Sequence, residues 1–137
     1  MLDFTGINYW AVLVVWLLYM GVGAYWYSTK GFARQWTKHT GVDILKIPQD
    51  QANSIILSVA GSSLLQAFLL AGILNSVGVE SILSGVVIGI TIWLGFTAAT
   101  TVGVTLYSQK SWKFLWLNAS YFLVVMTIAS AIYSVWR

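Results

Sequence analysis

Residues 85–107 read GVVIGITIWLGFTAATTVGVTLY, inside a window from 81 to 109 that holds 29 residues and no charge. About 20 residues, each rising 1.5 Å, cross a hydrocarbon core, so the stretch predicts a transmembrane helix. At 100° per residue, Gly85, Gly89, Gly95, Ala99 and Gly103 share one sector about 120° wide, at G-x-x-x-G spacings that let helix backbones approach closely. A larger residue at Ala99 is therefore expected to overpack a neighbouring helix. The opposite side carries Thr97, Thr101, Thr105 and Ser108, a hydroxyl stripe where a lipid-facing helix would show Leu and Ile. Two specialised faces predict a helix in the middle of a bundle.

Outward from this stretch the chain repeats the pattern. Uncharged runs of 26, 29, 29 and 23 residues separate Asp3 from Lys30, Asp50 from Glu80, Glu80 from Lys110, and Lys113 from Arg137. The 137 residues are 58% hydrophobic and 8% charged, with a mean hydropathy of +0.79. A soluble domain carries roughly 25% charged residues. The expectation is an all-α polytopic membrane protein, one domain of four spans at about 7–27, 52–75, 83–107 and 115–136. The net charge of +3 does not argue for nucleic acid, because the basic residues stand beside span ends. There is no cysteine, which removes disulfides, thiolate metal sites and cysteine nucleophiles. Met-Leu-Asp at the amino terminus lacks a basic n-region, so the first span reads as retained rather than as a cleaved signal.

The first span has aromatics at both ends, Tyr9 and Trp10, then Tyr25, Trp26 and Tyr27, which suits interfacial belts. The basic loop 28–51 follows. If residues 31–39 are helical, Phe32, Trp36 and His39 lie together while Lys30, Arg34 and Lys38 take the far side, the pattern of a segment in the headgroup layer. The alternative is a solvated loop. Lys110 and Lys113 form a second basic patch at the membrane surface. Pro48, the only proline, stands where the first turn of the second span tolerates it. Gln66 lies near mid-membrane on that span, where its amide needs a partner, either an interhelical hydrogen bond or a ligand. The fourth span groups Ser120, Thr127, Ser130, Ala131 and Ser134 on a close-packing face.

Orientation follows from the basic residues: four in the first loop and two in the third, against none in the amino tail or second loop and Arg137 at the carboxyl end. Both basic loops are expected in the cytoplasm and both termini outside it. At an offset of 80 the chain also matches itself. Val22, Gly23, Tyr27, Ser28, Lys30 and Trp36 recur as Val102, Gly103, Tyr107, Ser108, Lys110 and Trp116, six identities in 15 positions. This predicts two related helical hairpins, a parallel repeat with its axis along the membrane normal.

Gly23, Tyr25, Trp26, Tyr27, Phe32 and Trp36, the Trp93-Leu94-Gly95-Phe96 run, and Asn118 with Tyr121 resemble a bacterial family of small four-span membrane proteins catalogued only as a domain of unknown function. The resemblance covers nearly the whole chain. It implies the four-span fold and a bacterial inner membrane, and no activity.

Reactive chemistry finds little support. His39 is the only histidine, and Asp3, Asp43, Asp50 and Glu80 all stand near span ends, so no metal ligand set, cofactor or intramembrane carboxylate is implied. The expected function is a non-enzymatic membrane module in the lipid bilayer, packing as a homo-oligomer or as an accessory subunit of a membrane complex. The alternative is a pore or carrier for a small uncharged solute, lined by Ser62, Gln66, Thr97, Thr101 and Thr105.

Overall fold

The computed structural model describes residues 1–136; Arg137, counted above at the carboxyl end, lies outside them. Helix α1 spans Tyr9–Trp26, α2 Ala33–Thr40, α3 Gln49–Val77, α4 Ile82–Ile92, α5 Ala99–Tyr107 and α6 Trp112–Val135. A 3-10 turn, Ile44–Lys46, precedes α3, and a π-helical turn, Trp93–Ala98, joins α4 to α5 without a break. Four stretches are long and apolar enough to cross a membrane: α1, α3, α4 through α5, and α6. The protein is an all-helical, multi-pass membrane protein with a four-span bundle.

Helices begin where the sequence supplies acceptors for the orphan N–H groups of a first turn. Asn8 Oδ1 accepts from the N–H groups of Trp10 and Ala11 at 3.0 and 3.3 Å. Ser81 and Ser84 form a reciprocal capping box ahead of α4, and Ser111 Oγ accepts from Phe114 N–H ahead of α6. Pro48 stands just before α3 as its cap residue, so the second span starts at Gln49, earlier than the expected 52. It ends at Gly78, whose φ of 68° is the left-handed conformation that glycine adopts without a Cβ penalty.

The middle of the bundle is α6, and this corrects the sequence expectation. Helices α1, α3, α4 and α5 all pack on α6, whereas the 82–107 span packs chiefly on α6. Nine residues of α6 are buried, from Leu115 to Ser134, against five in the whole 82–107 span. Helix α3 packs on α1 and α6 but forms no packed interface with α4 or α5.

The glycines divide accordingly. Gly85 and Gly89 are buried where α4 crosses α6; a Cβ on Gly85 would overlap the Ser134 hydroxyl, and one on Gly89 the Ser130 side chain. This is the close backbone approach expected of small residues in a membrane, and it uses Ser130 and Ser134 of the predicted face on α6. Gly95, Ala99 and Gly103 do not join it. They are exposed, and no atom lies within 4 Å of a Cβ built on either glycine. The cause is the π turn, in which Ala99 N–H bonds five residues back to the Leu94 carbonyl. An α-helix holds its face at 100° per residue; the wider turn rotates everything beyond it. Trp93, Ala98 and Thr105 are buried in place of the glycines.

The ends of the bundle are tied by loop contacts. Ser111 Oγ lies 3.3 Å from His39 Nδ1, and Lys110 Nζ donates to the His39 carbonyl at 3.1 Å, so the two basic loops meet at one end. At the other end, Asp3 N–H donates to Ser76 Oγ, and Asn75 Nδ2 donates to the Asp3 and Thr5 carbonyls. Phe4 stacks on Phe68 at 4.9 Å and covers Gly72. The Thr5 hydroxyl and N–H both bond the Asp3 carboxylate, holding its pKa below the usual value.

Candidate functional site

Because α3 forms no packed interface with the 82–107 span, a cleft of about 330 Å³ opens between them. Its sides are Gln66, Leu69, Leu70 and Ile73 of α3, and Ile92, Phe96, Thr97, Thr100 and Thr101 around the π turn; Tyr19 of α1 and Phe122 and Met126 of α6 also line it. The π turn shapes this cleft, since it presents Phe96 and Thr97 to it and carries Thr101 to the same side. Such turns recur at functional sites because the extra residue re-aims side chains without ending the helix.

Of the five candidate solute-lining residues, Gln66, Thr97 and Thr101 line the cleft. Thr105 is buried on α5 and Ser62 is exposed on α3 with its hydroxyl on the Val59 carbonyl; neither lines the cleft. Thr100, which the sequence argument passed over, joins in their place. Thr101 Oγ1 donates to the Thr97 carbonyl at 2.5 Å and Thr100 Oγ1 to the Phe96 carbonyl at 2.7 Å, so their protons serve their own helix and only lone pairs remain for a visitor. Thr97 Oγ1 lies 3.9 Å from Met126 sulfur, a weak contact. Gln66 bonds to no group among the described residues. No ionisable side chain other than Tyr19 lines the cleft, and among the described residues no three His, Asp or Glu side chains gather as metal ligands.

The membrane-surface residues stand at the basic end. Arg34 and Lys38 are exposed on α2 while Trp36 turns inward, its ring 5.3 Å from Tyr27 and 5.2 Å from Phe114. Lys30 and Lys113 are exposed, and Lys110 holds the His39 carbonyl. Thus residues Ala33–Thr40 are helical, with Arg34 and Lys38 on the side away from Trp36. His39 is not merely solvated, since Lys110 and Ser111 bind it to the third loop.

Beyond the interfacial belts expected at the ends of the first span, aromatics also work in the interior. Five of them donate to backbone carbonyls of neighbouring helices: Trp16 Nε1 to Ala60 (2.9 Å), Trp26 Nε1 to Leu117 (3.1 Å), Trp93 Nε1 to Ala119 (2.8 Å), Tyr121 hydroxyl to Tyr19 (2.8 Å) and Tyr133 hydroxyl to Ala67 (2.9 Å). Each bond staples two helices where lipid offers no competing partner. The available signal was position, since Trp16, Trp93, Tyr121 and Tyr133 lie inside their spans rather than at the ends. Asn118 adds a polar clamp, accepting from the Tyr27 hydroxyl at 3.1 Å while its Nδ2 donates to the Phe114 carbonyl.

These staples gather the quoted motif residues into one unit. Trp26 packs on Phe32 at 4.6 Å, Tyr27 on Trp36, and both Trp26 and Tyr27 on Tyr121. Gly31 is required at the turn, because a Cβ there would overlap the Tyr25 and Trp26 carbonyl oxygens. Trp93 opens the W-L-G-F run and the π turn together. Fold and site together define a small multi-pass membrane bundle, stapled by aromatic donors and open on one lateral side. Over residues 10–134 the chain matches the family described as protein of unknown function DUF1761, and it belongs to that family. Comparison with curated proteins and comparison with solved structures each gave no match.

Proposed function

We propose that the protein is a non-enzymatic module of the bacterial inner membrane that works by lateral packing, as a homo-oligomer or an accessory subunit. The observation that carries this reading is the outer face of the π turn and α5, where Gly95, Ala99 and Gly103 leave backbone uncovered at a depth the four spans assign to lipid. In a membrane, helices associate through such small-residue surfaces because van der Waals contact and weak polar bonds replace the missing hydrophobic drive. The interior aromatic donors point the same way, being engaged in holding helices together.

Orientation belongs to the same proposal. Both termini face away from the cytoplasm, supported by the charge asymmetry and by the two basic loops meeting at one end. Descent from two related hairpins is supported by the placement of Tyr27, Ser28 and Lys30 at the end of α1, as Tyr107, Ser108 and Lys110 stand at the end of α5. The halves then diverge: Phe32–Trp36 opens the short surface helix α2, and the matching Trp112–Trp116 opens the spanning α6.

Single cysteines in this cysteine-free chain test the reading. Ala99→Cys should give disulfide-linked dimers in native membranes, whereas Ile56→Cys, exposed on α3, should not. Equal cross-linking at both positions, or none at Ala99, rejects the packing face. Cysteines at Thr40 and Ser111 should resist an impermeant thiol reagent in intact cells while one at Gly78 reacts, and the reverse pattern rejects the orientation.

A further inference from the structure

The lateral cleft lies on a different side of α5 from the proposed packing face, and it holds polar groups that packing does not use. Tyr19 is 2% exposed and lines the cleft, yet its hydroxyl has no hydrogen-bond partner among the described residues. That hydroxyl is not sealed in, because Ser130 Oγ is the one enclosed side-chain polar atom without a partner among them. Gln66, across the cleft, offers an unpartnered amide at mid-span. A polar group at this depth without a partner costs several kcal/mol, since hydrocarbon cannot replace the bond. Two residues that line one cleft carry such groups, and both need the same thing.

From these groups we infer that the cleft is a binding site for a neutral, membrane-dissolved molecule carrying carbonyl groups on a small, flat, apolar frame. The donors set the head group: the Tyr19 hydroxyl and the Gln66 NH₂ both ask for an acceptor, while the Thr100 and Thr101 protons serve their own helix and the Thr97 proton points at the Met126 sulfur. Charge is excluded, because no cationic or anionic side chain lines the cleft to pair with it. The frame is set by Phe96 and Phe122 with Leu69, Ile73 and Met126, surfaces that suit an aromatic or methyl-bearing ring. Access is sideways from the bilayer, because the missing α3 contact with the 82–107 span is what opens the cleft. The volume of about 330 Å³ stands at the small end of ligand sites and admits a compact ring rather than a whole lipid.

Met126 lines the cleft and is one of three methionines, so methyl-labelled methionine reports on it directly. The full chain in lipid nanodiscs is titrated with duroquinone, a flat neutral dicarbonyl, and separately with durene, the same methylated ring without carbonyls. Duroquinone should shift the Met126 methyl resonance saturably while that of Met1 stays fixed. Duroquinone against Tyr19→Phe or Gln66→Leu should bind about two- to tenfold more weakly, the size of one neutral hydrogen bond, and durene, which can accept neither bond, should bind more weakly still. The unliganded Met20 and Met126 resonances report whether each variant is folded, and Gln66→Leu lies on the exposed side of α3 where packing is not at stake. Equal affinity for durene overturns the proposal, as does wild-type affinity in both variants. A missing saturable shift overturns it as well, and so does a change of oligomeric state in Gln66→Leu, which would make a second copy the occupant. Cross-linking at Ala99 is independent of all these outcomes.

Discussion

The two halves of the 82–107 span carry the same kind of small-residue spacing and meet opposite surroundings. In α4, Gly85 and Gly89 are pressed against Ser130 and Ser134 so closely that neither could carry a Cβ. In the π turn and α5, Gly95 and Gly103 face open space, with Ala99 exposed between them. One π turn separates the halves. The comparison teaches that a G-x-x-x-G spacing reports a capacity for close approach, while the rotation of the helix decides what approaches. A single extra residue in one turn is enough to move a face from the bundle to its outside.

The largest expected effect breaks the packed half. Gly89→Leu forces a side chain into the Ser130 contact and should lower stability in detergent by about 1 to 3 kcal/mol or more, read from thermal denaturation. Retained stability would mean that α4 and α6 are further apart than described. A smaller loss is expected at the junction between the halves. Trp93 is 6% exposed and its indole N–H binds the Ala119 carbonyl, so Trp93→Phe should cost about 0.5 to 1.5 kcal/mol on the same measurement. An unchanged melting point there would remove the aromatic staple from the account.

Ser130→Ala works in the other direction. The Ser130 hydroxyl is enclosed without a partner, so its removal should raise stability by about 1 kcal/mol, and a loss of stability would reveal a bond to that hydroxyl. The smallest effect belongs to the open half. Ala99→Leu in detergent, where copies are separated, should change stability by no more than about 0.5 kcal/mol, because Ala99 is exposed. A loss comparable with that of Gly89→Leu would return α5 to the interior and restore the single glycine face.

Much of the fold was legible because membrane burial leaves a linear trace. Charge-free runs long enough to cross the bilayer and basic turns each act over a few residues, so the number of spans and most of their ends could be read directly. The amphipathic α2 was legible for the same reason, through the alternation of Trp36 with Arg34 and Lys38. The candidate site was legible in part. Gln66 stands out because an amide at that depth needs an explanation, Thr97 and Thr101 belong to the hydroxyl stripe, and the three share the cleft. Ser62 and Thr105 were chosen by spacing alone, and spacing assumed a regular helix. Tyr19 was missed because a tyrosine inside an aromatic-rich span reads as bulk until its hydroxyl is seen without a partner.

By itself the sequence determined that this chain lies in a membrane, that it crosses four times, and that its basic loops share one end. Each follows from the cost of placing charge and unpaired backbone in hydrocarbon, a cost incurred residue by residue. Only the tertiary structure decided that α6, not the 82–107 span, occupies the middle, and that α3 stands apart to leave a cleft. Those outcomes depend on how whole helices rotate and seat against one another. The deciding energies, the Gly89 contact with Ser130 and the Trp93 bond to Ala119, join residues far apart in the chain.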